Sequence, residues 1–97
     1  DDQYLEVFPG AENDRAPGWN ANGLNHVCLT VDDIDRVLAE VAAAGLTLLL
    51  PLKTAVDGNR QAWLEDPDGN RLELMEMAPD SLQLEAIRRL RSARAAV

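Results

Sequence analysis

Cysteine, histidine and aromatic side chains are scarce in this sequence, which has one Cys, one His and 4% aromatic residues in 97 positions. Because Cys28 has no internal partner, a disulfide-stapled scaffold is excluded and a reducing, cytoplasmic compartment is expected. With so few aromatics, the core must be built mainly from Leu, Val and Ala. The length suits one small domain and excludes two.

Long apolar runs and signal-like segments are also missing. The longest apolar stretch, residues 46–52, is interrupted by Thr47 and Pro51. It is much shorter than the roughly 20 residues of a membrane span. No succession of basic, apolar and small residues marks a secretory signal at the N-terminus. We therefore expect neither a membrane nor a secretory destination.

Positive charge is scarce over most of the chain, since residues 1–79 carry five basic and fifteen acidic side chains. Residues 80–97 reverse the balance with four Arg and two acids. An acidic body repels phosphate backbones, so nucleic acid is not an expected partner. We interpret the acidity as a solubilising surface, and the C-terminal arginines as a solvated helix face or a docking surface for an acidic partner.

Alternating apolar side chains predict strands at 4–8, 24–31, 46–54, 60–65 and 71–77. The third strand should be irregular because Pro51 cannot donate a backbone hydrogen bond. The sequence Asp66-Pro67-Asp68-Gly69-Asn70 predicts a tight hairpin turn between the last two strands. Residues 9–22 follow neither a strand nor a helix period, so we predict a connecting loop that Trp19 anchors to the body.

Two helices complete a predicted α+β order. The first begins at Asp32 or Asp33, ends at Gly45 and has apolar residues at helical spacing. The second spans 80–95 with a thin apolar stripe, formed by Leu84, Ile87 and Leu90. An apolar-Glu-apolar triplet occurs in both 5–7 and 72–74. The chain therefore divides into the end of one unit (1–8), a linker (9–22), a second unit (23–78) and a C-terminal helix (79–97).

Two strand residues are candidates for chemistry. The alternation places His26 and Glu73 on mixed, partly polar faces, whereas the opposite faces are apolar enough to pack on a helix. Neutral imidazole and carboxylate oxygen together suit Zn, Fe, Mn or Ni. The plainer alternatives are a hydrogen-bonded surface histidine and a carboxylate paired with Arg60 or Arg71. Since no residues complete a nucleophile triad with Cys28, we interpret it as a small buried filler.

Residues 25–34 resemble the first strand and helix of a vicinal oxygen chelate module, the fold of glyoxalases, bleomycin resistance proteins and extradiol dioxygenases. Residues 58–76 resemble its last hairpin, and the turn at 66–70 followed by Leu72-Glu73-Leu74 is the most specific part. Residues 4–10 are similar to the last strand of a preceding module. The resemblance implies an α+β βαβββ module with an extra N-terminal strand and a C-terminal helix, whose barrel-like cup is completed by a second module.

The resemblance also implies roles for individual residues. His26 and Glu73 would be ligands of a divalent metal, Zn, Ni, Mn or Fe. Glu6 would hold the equivalent ligand position of the preceding module, and either glutamate could shuttle a proton. The substrate pocket would be lined by Trp63, Gln61, Cys28 and Met75.

The implied function is a metal-dependent, glyoxalase-type lyase or isomerase that acts on a small substrate with vicinal oxygens. The alternatives are a metal-free antibiotic-binding protein of the bleomycin-resistance type and a non-catalytic half-module. Because only the end of a first module precedes residue 23, either another chain supplies the rest or the sequence is a fragment. An open sheet exposes unpaired edges, so we expect a homodimer with strand exchange through residues 1–8.

Overall fold

Four strands and two helices make up residues 3–96, the part of the chain that the computed structural model describes. The elements are β1 (Val27–Thr30), α1 (Ile34–Ala43), β2 (Leu50–Thr54), β3 (Arg60–Glu65), β4 (Arg71–Glu76) and α2 (Leu82–Ala95). The α+β class and the β-α-β-β-β order are as predicted. Two strands start later than predicted: β1 begins at Val27 instead of Leu24, and β2 begins at Leu50 instead of Leu46.

The strands form one mixed sheet in the order β1-β4-β3-β2. β1 runs parallel to β4, while β3 is antiparallel to both β4 and β2. The register of β2 shifts between Leu50 and Lys53, where Pro51 interrupts the ladder as expected. The sheet is open with β1 and β2 at its edges, so a cup is not closed within this chain.

The predicted turn joins β3 to β4. Gly69 has a φ of +86°, a left-handed conformation that side chains disfavour. The Asp66 carboxylate accepts hydrogen bonds from the backbone N–H groups of Asp68 and Asn70. These bonds order the turn, and the resulting register places Trp63 opposite Glu73.

Helix α1 covers one face of the sheet, which we call the helix face. The helix begins after Asp33, whose carboxylate accepts from the backbone N–H of Arg36. Ile34 is fully buried against Ala62 and Leu74. Ala62 and Leu64 lie on this face, as the alternation along β3 requires. The partly buried side chains around the cluster are Val31, Val37, Leu38, Leu48, Leu52 and Leu64.

Residues 3–10 contain no strand. The side chains of Tyr4, Leu5, Val7 and Phe8 are 69–87% exposed. The predicted strand at 4–8 is not formed, and this segment pairs with no strand among residues 3–96. Tyr4 and Leu5 instead line a shallow groove beside the edge strand β1. That this segment closes a preceding module stays a prediction.

Helix α2 begins after Ser81, whose hydroxyl accepts from the backbone N–H of Leu84. Leu84 and Ile87 are half-buried as predicted, whereas Leu90, assigned to the same stripe, is 60% exposed. Within residues 3–96, neither helix has the length and apolar character required to cross a bilayer.

Buried Asn59 connects the start of β3 to α2. Its Oδ1 accepts from the backbone N–H of Ala78, and its Nδ2 donates to Gln83 Oε1 at 3.3 Å. Asn59 is 1% exposed and was not singled out in the sequence, because its partners lie 19 and 24 residues away. Its bonds hold the C-terminal helix against the sheet.

Candidate functional site

The face of the sheet opposite α1, which we call the open face, carries nearly all of the predicted site residues. Cys28 and Trp63 both lie opposite Glu73 in the ladder, and Gln61 lies opposite Met75. His26 directly precedes β1 and reaches the same face. Of the predicted set, only Glu6 lies elsewhere.

His26 and Glu73 are in direct contact. His26 Nε2 lies 3.0 Å from Glu73 Oε2, and the two side chains are 32% and 12% exposed. Among the described residues, the alternative partners of Glu73 are engaged elsewhere: Arg60 pairs with Asp35 and Glu76, and Arg71 bonds backbone carbonyls. The imidazole and the carboxylate thus face each other without a competing cation from the chain.

Trp63 lies on the predicted face but is only 8% exposed, so it is not an open pocket wall. Its ring packs edge-on against His26, with centroids 4.6 Å apart, and against Trp19 at 5.3 Å. Trp19, in the connecting loop, is 46% exposed and covers it. The prediction that Trp19 anchors the loop to the body is confirmed.

Arg71 was considered in the sequence only as a possible partner of Glu73, and its actual contacts were not predicted. Its buried guanidinium donates to the carbonyl oxygen of Asn25 from Nε and Nη2, at 3.1 and 2.8 Å, and to that of Pro17 from Nη1 at 3.1 Å. It also lies over the Trp19 ring, 4.4 Å from the centroid. Position on the site face was the only sequence signal, since the carbonyl acceptors are 46 and 54 residues away.

Two further contacts hold the loop over the edge of the open face. Arg15 forms an ion pair with Glu65, and the backbone N–H of Ala16 donates to the carbonyl of Asp68 at 2.7 Å. The loop therefore runs along β4 and the hairpin turn. This placement brings Trp19 onto the Trp63 ring and Asn25 next to the His26 ring.

Cys28 is exposed, and the prediction of a buried filler is wrong. β1 is an edge strand, and nothing in the described chain covers its open face. Partial burial, followed by the nearby Glu73 carboxylate, raises the pKa of the Cys28 thiol. A raised pKa lowers the thiolate fraction and makes Cys28 a weaker nucleophile than an ordinary cysteine.

Glu6 is exposed and lies outside the four paired strands. Within residues 3–96, no group of three or more His, Cys, Asp or Glu side chains is arranged to hold a metal ion. Gln61 and Met75 are half-buried on the open face beside the pair. The structure thus brings two of the three predicted ligand residues, His26 and Glu73, into contact, and metal ligation by all three stays a prediction.

Comparison with known proteins agrees with the topology. The family model of the Glyoxalase/Bleomycin resistance protein/Dioxygenase superfamily matches residues 5–74. A crystal structure of a member of that superfamily from Sphaerobacter thermophilus is 33% identical, with a TM-score of 0.50, over 57% of this chain and 44% of that one. The structure of SMU.1112c is 30% identical, with a TM-score of 0.59, over 78% of this chain and 54% of that one.

A lactoylglutathione lyase from Agrobacterium tumefaciens is 25% identical over 65% of this chain and 53% of that one, but its TM-score of 0.49 is too low to bear on function. A search of curated proteins found no match. The chain spans about half the length of the solved structures that it matches. Since the family model covers well over half of the sequence, the chain belongs to the glyoxalase/bleomycin resistance protein/dioxygenase superfamily.

Proposed function

We propose that this chain forms half of a divalent-metal site in a glyoxalase-type lyase or isomerase, which acts on a small substrate with vicinal oxygens. The observation that carries the proposal is the contact between His26 Nε2 and Glu73 Oε2, 3.0 Å apart on the open face. Membership of a superfamily that includes glyoxalases and dioxygenases supports the reaction class.

The two donor atoms fit a metal ion. Bonds of about 2.0–2.2 Å from one ion to imidazole nitrogen and carboxylate oxygen are compatible with ligand atoms separated by 3.0 Å. His26 is also held at its second nitrogen, Nδ1, as metal-bound histidines usually are. The same donors suit Zn, Ni, Mn and Fe, so the set does not select among them.

A second copy of the chain is the source that we propose for the remaining ligands. β1 and β2 leave two unpaired sheet edges, and residues 4–8 expose apolar side chains that lack a strand partner. A homodimer that exchanges the segment 1–8 would pair those groups. Glu6 would then approach the His26–Glu73 pair of the other copy.

Several residues of the open face would take part in the proposed reaction. The bound ion would act as a Lewis acid on the vicinal oxygens of the substrate. Glu73 would hold the transferred proton on a carboxylate oxygen. Gln61 and Met75 would contact the substrate, and the Trp19–Trp63 pair would exclude water from one side of the site.

A metal-free small-molecule binding protein of the bleomycin-resistance type is the second candidate. Trp19, which is 46% exposed, favours it, because an exposed aromatic side chain can contact an apolar ligand. A non-catalytic half-module is the remaining alternative. Metal uptake separates the leading proposal from both.

The test is a titration of metal-free protein with Zn²⁺, Ni²⁺, Mn²⁺ and Fe²⁺, in which calorimetry measures the affinity for each ion. The wild type should bind at least one of these ions, and His26→Ala and Glu73→Gln should each weaken binding at least about tenfold. Glu40→Gln is the matched control, because Glu40 is exposed on α1 and pairs only with Arg36. Absence of uptake, or equal uptake by wild type and His26→Ala, would refute the metal proposal.

A further inference from the structure

Helix α2 has a second apolar stripe, and we propose that this stripe docks antiparallel against the same stripe of a second copy of the chain. The half-buried side of α2 carries Leu84 and Ile87. The second stripe, which we call the outer stripe, is turned away from that side and comprises Leu82, Ala86, Leu90 and Ala93. At 100° per residue, these four positions lie within about 80° of one another around the helix axis.

The outer stripe is uncovered in the part of the chain that the structure describes. Leu82 is 78% exposed, Leu90 is 60% exposed, and both alanines are exposed as well. A shallow groove runs along the stripe, and Glu85 and Arg89 form one border of it. Removing the two leucines from water is favourable, so the groove is a surface on which another helix gains free energy by packing.

The outer stripe is complementary to itself about a two-fold axis that passes close to the middle of α2. In one antiparallel register, Leu82 lies against Ala93 of the second copy and Leu90 lies against Ala86. Each large side chain then meets a small one, as close helix packing requires. A two-fold axis also brings the same border of each stripe together, and in this register Glu85 lies opposite Arg89 of the second copy.

Charge selects the antiparallel orientation. In a parallel pair, Glu85 would face Glu85, Arg89 would face Arg89, and the two helix dipoles would be aligned. In the antiparallel pair, opposite charges face each other. Glu85 and Arg89 already form an ion pair within the helix, so two copies would build a square of four alternating charges. Exposed ion pairs contribute little energy, so the leucines supply the affinity and the charges supply the orientation.

Two other arginines of α2 lie away from the outer stripe. Arg88 donates to the backbone carbonyl of Pro79 at 3.4 Å. Arg91 lines a cleft with Thr30 and Met77, on the side of the helix that faces the sheet. Their positive charge is therefore directed towards the chain's own body, where it does not oppose the approach of a second α2.

The contact is expected to be weak. One helical stripe buries less than the roughly 1,200 Å² at which stable interfaces begin, so association through α2 should appear only well above micromolar protein concentration. The exchange of residues 1–8, in contrast, is expected to hold at micromolar concentration. The α2 contact uses other residues and rests on neither that exchange nor the metal site.

The test is sedimentation equilibrium of the full chain from micromolar concentration to about 1 mM, with a reducing agent because Cys28 is exposed. The mean mass of the wild type should at least double over this range, whether the unit at low concentration is a monomer or a dimer. Leu90→Gln should weaken this association at least about tenfold, because it removes an apolar side chain from the contact. Leu46→Gln is the matched control, since Leu46 is 58% exposed outside α2, and it should behave as the wild type.

Exchanging the charges tests the register. Arg89→Glu places two acids along the border of each stripe, and Glu85→Arg places two cations there. Each variant alone should associate more weakly than the wild type because like charges then face each other. An equimolar mixture of the two variants restores opposite charges across the contact and should recover the association.

The outcomes separate this contact from the strand exchange. A wild-type mass that stays constant up to the highest concentration would overturn the α2 contact, and so would an increase that persists unchanged in Leu90→Gln. A mixture that associates no better than its two components would overturn it too. A micromolar monomer that associates through Leu90 at higher concentration would refute the exchange of residues 1–8 and leave the α2 contact standing.

Discussion

The two faces of the sheet differ in how much of each is covered, since helix α1 covers the helix face and only a loop packs on the open face. On the helix face, Ile34 and Ala62 are fully buried and Leu74 is 5% exposed. On the open face, Cys28 is exposed and the His26 side chain is 32% exposed, with only the loop around Trp19 packed against it. The chain thus buries the centre of the helix face, with Leu29 at the sheet edge 45% exposed, and leaves Cys28 and part of His26 uncovered on the open face.

The difference follows from what each face must bury. Apolar side chains on the helix face gain free energy simply by leaving water, and α1 is long enough to cover them. The open face holds a carboxylate and a guanidinium, which require specific hydrogen-bond or ionic partners. Arg71 donates to carbonyl groups in the loop, whereas Glu73 contacts the His26 imidazole and the Cys28 thiol.

The sharpest test of this contrast compares neighbours on β4. Leu74→Ala, on the helix face, should lower the free energy of unfolding by about 2–5 kcal/mol because it leaves a cavity beneath α1. Met75→Ala, on the open face, should cost clearly less, since Met75 is only half-buried. Urea denaturation measures both. Equal losses, or a larger loss for Met75→Ala, would mean that the two faces do not differ as described.

A smaller effect is expected from the loop that covers the open face. Trp19→Ala should lower the free energy of unfolding by about 0.5–1.5 kcal/mol, the usual worth of an aromatic pair. It should also shift the emission of Trp63, then the only tryptophan, to longer wavelength as water reaches it. Trp19→Phe keeps an aromatic edge and should retain most of the stability. Unchanged Trp63 emission in Trp19→Ala would show that another group shields the ring.

The smallest effect concerns acid stability on the helix face. The backbone N–H of Ile34, followed by the side chain of Arg60, holds the pKa of Glu76 below its ordinary value of 4.5. A carboxylate with a lowered folded-state pKa stabilises the fold above its ordinary value, and the stability is lost as pH falls through the folded value. Glu76→Gln should therefore be less stable at neutral pH and lose less stability below pH 4.5.

Denaturation curves collected from neutral to acid pH measure this effect. Glu40→Gln, at an exposed position of α1, is the control and should follow the wild-type profile. Parallel profiles for Glu76→Gln and the wild type would show that Glu76 does not contribute to the pH dependence.

Much of the helix face and its hairpin could be predicted from the sequence, because local rules govern them. Alternation separated Ala62 from Trp63, and the turn at 66–70 follows from the properties of Asp, Pro and Gly. The proximity of His26 and Glu73 came from the family resemblance, since 47 positions separate them in the chain. Direct contact between them is what the structure adds.

The rest depends on contacts that no local pattern records. Asn25 and Arg71 acquire their roles only when the loop folds back onto β4, and Asn59 acquires its role only when α2 docks. The strand expected at 4–8 has the right alternation but no neighbour to pair with. The burial of Trp63 by Trp19 could not be predicted from the sequence either. Alternation predicts the face on which a residue lies but not the segment that covers that face.

We propose that a second copy of the chain completes the open face. Sedimentation velocity at micromolar protein concentration, with and without Zn²⁺, tests this proposal most directly. A dimer is expected, strengthened by Zn²⁺ and weakened by deletion of residues 1–8. A compact monomer near 10.6 kDa, both with and without Zn²⁺, would contradict the proposal.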